Sequence, residues 1–158
     1  MTAIHRTICM IFSAAAFFAL MAAPAIAAQA GAPGLIDPNT ANENQLQQLP
    51  HMTPAIAKEV VAHRPFKGIV ELNKFLLDQK LTQAQATEFY RKAFVPIDLN
   101  TGTKDEFTLI PGVGARMSAE FAEYRPWKSW AQFDKEIGKY VGQQETDRFK
   151  QYVFIPGI

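Results

Sequence analysis

Apolar positions in this chain recur in short clusters, and within each cluster the spacing is helical. Leu46 and Leu49 form the first, then Ile56, Ala57, Val60 and Val61, then Ile69, Leu72 and Leu76, then Phe89, Tyr90 and Phe94. An i, i+1, i+4, i+5 pattern puts one buried stripe on one helix. The clusters then return in the same order: Phe107 and Ile110; Met117, Ser118, Phe121 and Ala122; Trp130, Phe133 and Ile137; Phe149, Tyr152 and Val153. No stretch alternates with period two for long enough to predict a strand. The pattern predicts an all-α fold with about four short helices in each half.

The polar positions mark where those helices begin and end. Asn42-Glu43-Asn44-Gln45 and Thr103-Lys104-Asp105-Glu106 have the spacing of a capping box, and Thr82 with Gln85 caps a later helix. Thr53 followed by Pro54 is a good N-cap with a good first helical residue. Arg64-Pro65 and Arg125-Pro126 stop the second helix of each half, because a residue before proline avoids αR. These markers repeat at an offset of 61: Ile36-Asp37-Pro38-Asn39-Thr40 becomes Ile97-Asp98-Leu99-Asn100-Thr101, and Pro50, Glu59 and Lys67 become Pro111, Glu120 and Lys128. Past Leu77 the offset is 60, so that Phe89, Phe94 and Pro96 become Phe149, Phe154 and Pro156. Agreement in order over such a length predicts an internal duplication, with a first repeat over 36–96 and a second over 97–158.

Before the repeats, Met1 to Thr7 carries His5 and Arg6, residues 8–26 are apolar, and Ala25-Ile26-Ala27 is a small-x-small site. This predicts a secretory signal peptide over 1–27, cut after Ala27 or shortly beyond, and a flexible lead-in over 28–35. The protein is then periplasmic or secreted, with no stable membrane insertion. The alternative is an uncleaved segment that anchors the chain, since the apolar run approaches spanning length. The one cysteine, Cys9, lies in this segment, which removes disulfides, thiol redox chemistry and cysteine-ligated metals from the mature chain. The whole chain has 16 Lys+Arg against 15 Asp+Glu, and loss of Arg6 leaves the two equal. A dedicated nucleic-acid binder is usually basic, so any anion site must be made by local geometry.

One stretch has that geometry. Ile110-Pro111-Gly112-Val113-Gly114-Ala115-Arg116 joins two predicted helices, and its glycines permit a tight turn onto a helix N-terminus. Free N–H groups and the helix dipole favour an anion there. Arg116 stands in the first helical turn, where a cation is slightly unfavourable unless an anion joins it. A plain helical hairpin with packing glycines is the competing reading. No strand precedes the glycines and no Lys-Ser/Thr follows them, which excludes dinucleotide-binding and P-loop readings.

With these residues in view, Asp98-Leu99-Asn100-Thr101 … Glu106-Phe107 … Leu109-Ile110-Pro111-Gly112-Val113-Gly114 … Tyr124-Arg125-Pro126-Trp127-Lys128 closely resembles the double helix-hairpin-helix domain of ComEA-type DNA-uptake receptors. The first repeat matches more loosely, through Asp37-Pro38-Asn39-Thr40, Leu49-Pro50 and Arg64-Pro65-Phe66-Lys67. The resemblance implies export and sequence-independent binding of double-stranded DNA. It implies amide contacts to phosphate from Gly112, Val113 and Gly114, with Arg116 and Lys128 as charge partners. It also implies the DNA-uptake machinery as a partner, while the weak binding expected of one hairpin points to self-association on DNA or a stronger partner. Three of the four expected hairpins depart from the family pattern: Pro50-His51-Met52-Thr53-Pro54, the region of Asp78-Gln79-Lys80-Leu81, and Gly138-Lys139-Tyr140-Val141-Gly142. One hairpin neutralises only about two phosphates on a strand, so the expected affinity is at the non-specific level of roughly 10⁻⁴–10⁻⁶ M.

Two other classes compete. A periplasmic protein-interaction or assembly module would keep the fold and lose DNA binding, as in an extrinsic photosystem subunit of the same fold. An exposed aromatic patch involving Trp127, Trp130 or Tyr140 would suit it, while helical spacing places Trp130 in the core. An enzyme is not expected: His51 and His63 have no third ligand at a sensible spacing, and no nucleophile–base set is present. Neither a cofactor nor a metal is expected.

Overall fold

The computed structural model describes residues 34–158; the expected signal peptide and most of the lead-in lie outside them. Eight helices are present among the described residues: α1 (Glu43–Gln47), α2 (Pro54–His63), α3 (Ile69–Asp78), α4 (Gln83–Tyr90), α5 (Lys104–Thr108), α6 (Ala115–Glu123), α7 (Trp130–Val141) and α8 (Gln143–Phe149). The fold is all-α but for two residue pairs, β1 (Ile97–Asp98) and β2 (Val153–Phe154), which lie parallel with Ile97 opposite Val153. None of the described helices is long and apolar enough to cross a membrane.

The capping signals act as the residues suggest. Asn42 accepts from Gln45 N–H while the Gln45 side chain accepts from Asn42 N–H, and Thr82–Gln85 and Thr103–Glu106 form the same reciprocal box. Such caps matter for α1 and α5, whose five residues are too few to be stable alone. Each is held by packing against its successor, with Leu46 and Phe107 fully buried. One continuous core runs through both halves, from Leu46 and Leu72 to Phe121 and Phe149. Phe94 meets Tyr152 edge-on at 4.9 Å where the halves join.

Two expectations are corrected. The fourth helices are shorter than the apolar spacing suggests: Phe94, Tyr152 and Val153 lie past the ends of α4 and α8, in the segments that make parallel contacts. Ile36 bridges Ala93 in the first half as Ile97 pairs with Val153 in the second. Pairs this short leave no alternation to detect. The α2 stripe is also narrower: Ala57 and Val60 are buried, Ile56 is half-buried and Val61 is exposed.

The best-defined sequence markers serve the framework. The Asn39 carboxamide accepts from Phe66 N–H (2.8 Å) and donates to Phe66 C=O (3.0 Å). Asn100 does the same with Trp127, at 2.6 and 3.0 Å. Only a side chain with both donor and acceptor can close this two-bond bridge. It ties the start of each half to the residue after its Arg–Pro pair. Arg125 then donates Nε to Leu99 C=O (2.6 Å) and Nη2 to Gly102 C=O, and Arg64 donates Nη2 to Ala41 C=O (2.6 Å). Burial pulls the pKa of both guanidinium groups down.

Candidate nucleic-acid interface

The turn between α5 and α6 is closed from within by Val113. Its N–H donates to Ile110 C=O (2.9 Å), and its side chain is buried beside Ile110 in the core. Val113 therefore fixes the turn, and its N–H is engaged within it. Gly112 sits at φ +86°, a conformation that disfavours a side chain. Gly114 is the N-cap of α6 at φ −91°, with no side-chain cap on the helix. Both glycines are exposed. Among the described residues, no protein group accepts from Gly112 N–H, Gly114 N–H or the first two N–H groups of α6. These are the orphan donors of a helix start, gathered at an open surface.

The cations near this turn have different roles. Arg148, from α8, lies beneath Gly112: its Nη2 donates to Pro111 C=O (2.6 Å), and the guanidinium pairs with Glu145 through Nε (2.9 Å) and Nη2. A Cβ on Gly112 would come within 2.9 Å of Arg148 Nη2. Arg148 thus braces the turn, with its charge shared by Glu145, and each of the pair moves the other's pKa toward the charged form. Arg116 is exposed and has no carboxylate within salt-bridge distance among the described residues. Its guanidinium stands 5.6 Å from the centre of the Tyr140 ring.

Beside Gly114, a shallow concavity of about 380 Å³ is lined by Gly114, Arg116, Met117, Lys139 and Tyr140. Lys139 Nζ donates to Glu136 Oε2 (2.8 Å) and to Tyr124 OH (2.7 Å). The hydrogen bond to Glu136, then that to Tyr124, pushes the Lys139 pKa upward, so the ammonium is fully charged at neutral pH. Tyr140 is pushed up to about 12, first by its hydrogen bond with Tyr124 and also by nearby Glu120. Sequence reading missed Lys139 as a member of this site, because 23 residues separate it from Arg116. A partial signal existed: Arg116, Glu120 and Tyr124 are spaced i, i+4, i+8 on one face of α6.

Lys128 is not brought to this place. It is exposed just before the N-terminus of α7, where its N–H donates to Gln132 Oε1 (2.9 Å). Lys139 stands in the last turn of the same helix, roughly 16 Å away at 1.5 Å per residue. The three aromatics also separate. Trp127 is buried with its indole N–H donating to Phe121 C=O (2.8 Å), Trp130 is half-buried against the core, and Tyr140 alone is exposed. They form no common patch. No group of three or more His, Cys, Asp or Glu among the described residues is placed to hold a metal ion.

The equivalent turn of the first half differs at every functional position. His51 takes the place of Gly112 at φ +62°, and Met52 fills the core as Val113 does. Thr53 caps α2 by accepting from Ile56 N–H (3.2 Å), and Pro54 has no N–H to offer. Glu88 stands where α8 has Arg148, and its Oε2 lies 2.6 Å from His51 Nε2.

Residues 33–88 match a family model described as the helix-hairpin-helix motif. The matched residues span α1 to α3 and most of α4, so the match falls on the half whose helix start is capped by Thr53 and Pro54. No curated protein and no solved structure matches the chain. The first half thus carries a helix-hairpin-helix motif, which supports nucleic-acid binding as a general class.

Proposed function

We propose that this is an exported, non-catalytic protein that binds double-stranded DNA weakly and without reading sequence, in the manner of ComEA-type DNA-uptake receptors. The observation behind this reading is the turn at Gly112 and Gly114: open amides at the surface, with Arg116 beside them and no carboxylate paired to it. Backbone amides grip a phosphate oxygen irrespective of the base attached, so contact of this kind carries no sequence information. With one open hairpin, useful affinity requires several copies on one duplex or a stronger partner in the uptake machinery.

Fluorescence anisotropy with two unrelated duplexes at low salt tests the proposal. Binding of both with similar, salt-sensitive affinity is expected. Gly114→Glu is the informative variant, because a Cβ there meets nothing within 4 Å and φ is ordinary. It leaves the fold intact and puts a negative charge at the amides. An unchanged affinity in Gly114→Glu would falsify the hairpin reading.

A protein-interaction module is the second reading. Val61, Val70 and Leu77 are exposed on α2 and α3 of the first half, where the turn is least suited to an anion. If sedimentation shows concentration-dependent self-association that Val70→Glu abolishes, and no duplex binds at low salt, this reading replaces the first.

A further inference from the structure

The cluster of side chains beside the hairpin calls for an explanation of its own. Arg116 Cζ and Lys139 Nζ lie 5.6 and 5.1 Å from the centre of one ring, Tyr140, and Lys139 lies 4.4 Å from the Tyr124 ring as well. Two cations sharing an exposed ring repel one another. The nearby carboxylates are Glu136, paired with Lys139, and Glu120, beside Tyr140. A surface ion pair such as Lys139–Glu136 adds little stability. An ammonium has three donors, and two are used, by Glu136 and by Tyr124 OH. The Tyr124 and Tyr140 hydroxyls are in turn linked at 3.1 Å. This network holds the Lys139 head beside the concavity at Gly114 with one donor left over.

We propose that Lys139 and Arg116, positioned by the Tyr124–Tyr140 pair, form a side-chain subsite for a second phosphate of the strand held at the Gly112/Gly114 amides. The ligand class is a phosphodiester strand of duplex DNA, and the inference rests on the hairpin reading above. The second half then reaches two neighbouring phosphates: one gripped by backbone N–H groups, the other by two side-chain cations. Tyr140 acts as a positioning residue. Glu136 acts in two directions, fixing Lys139 in place and opposing the phosphate.

The test compares salt slopes, with a labelled 20-base-pair duplex and the full protein. Lys139→Met should lower the magnitude of the slope of log K against log salt by about 0.9, the value for one phosphate contact. Lys139→Arg should restore it. Tyr140→Phe should bind as the parent does, because the ring is kept, while Tyr140→Ala should move toward Lys139→Met. Glu136→Gln should tighten binding by roughly threefold, the scale of one exposed ion pair. A purely structural Lys139–Glu136 pair predicts no tightening. Parental binding with an unchanged slope in Lys139→Met overturns the subsite and leaves the hairpin reading in place. Absence of parental binding overturns both. A melting temperature for each variant separates lost contacts from lost folding.

Discussion

The two hairpins use the same backbone path for opposite ends. In both, the second residue of the turn has positive φ, the third is buried, and the fourth begins a helix. In the first half, Thr53 and Pro54 cap α2, and His51 is tied to Glu88. Ala55 replaces Arg116 at the corresponding place. In the second half, glycine leaves the helix start uncapped, and its amides face solvent. An N-cap side chain contributes about 1 kcal/mol relative to alanine but only a few tenths relative to glycine, and α6 forgoes that smaller part with Gly114 at its cap. A helix left uncapped beside an unpaired Arg is what a ligand site would require, whereas the first turn is capped by Thr53 and Pro54. The family-model match to residues 33–88 shows that the motif is recognisable by its framework even where the helix start is capped by side chains.

The largest difference between the halves should appear in stability. Arg125 reaches two carbonyls and lies over Phe107, while Arg64 reaches one and leaves its buried Nε without a partner. Bonds from a charged donor contribute about 1.5–3 kcal/mol each. Arg125→Ala should therefore cost about 3–4 kcal/mol in urea unfolding, and Arg64→Ala about half of that. Equal losses would mean that the single Arg64 bond does the work of two.

Exchange of the hairpins comes next. Placing the first turn's cap in the second (Gly114→Thr, Ala115→Pro), with Gly112 kept because of its positive φ and the Arg148 beneath it, should stop up the open amides and reduce duplex affinity at least tenfold. The melting temperature should hold or rise, as the new cap offsets any loss. The converse set, His51→Gly, Thr53→Gly, Pro54→Ala and Glu88→Arg, should increase the salt slope by about one phosphate and cost about 1 kcal/mol of stability. Anisotropy over a salt series with thermal melts checks both. A converted first hairpin that binds no better would show that the neighbouring Lys139–Tyr140 cluster, absent from that half, is indispensable.

Single caps should have smaller effects. Thr53→Ala should destabilise by about 1 kcal/mol through loss of the bond to Ile56 N–H. Gly114→Ala has no bond to lose and should change stability by less than about half of that. Chemical denaturation of the pair reads the difference directly.

How much of this was legible beforehand follows from what each feature leaves in sequence. Caps, helix stops and the apolar stripes are local, and Thr103–Glu106 or Arg125-Pro126 announce them within a few residues. The Asn100–Trp127 bridge spans 27 residues, so its residues stand out as a motif while their purpose does not. Lys139 reaches the hairpin through α7 packing and its bond to Tyr124, which no spacing rule encodes. Lys128 shows the same limit: it is near the second helix in sequence but lies before the start of α7, away from Lys139 in that helix's last turn. The two-residue parallel pairs are set by where helices α4 and α8 release the chain, and so carry no pattern of their own.

The smallest effect concerns acid. The carboxylates held below their usual range, Glu136, Glu145 and Asp147, all lie in α7 and α8, each chiefly through a hydrogen bond from a neighbouring Lys or Arg. A carboxylate with a depressed pKa in the folded state favours folding above its unfolded value, and loses that contribution as pH falls through the folded one. Acid below the ordinary carboxylate range should therefore loosen the second half first, by an amount that salt reduces because these pairs are exposed. Glu145 offers the cleanest case, since Arg148 both pairs with it and braces Pro111. Glu145→Gln should flatten the acid limb of the stability curve slightly. It should also free Arg148 charge beneath Gly112 and strengthen duplex binding at neutral pH. If both the limb and the binding stay as they were, Arg148 serves the turn alone, and the second hairpin depends on its amides, Arg116 and Lys139 without help from α8.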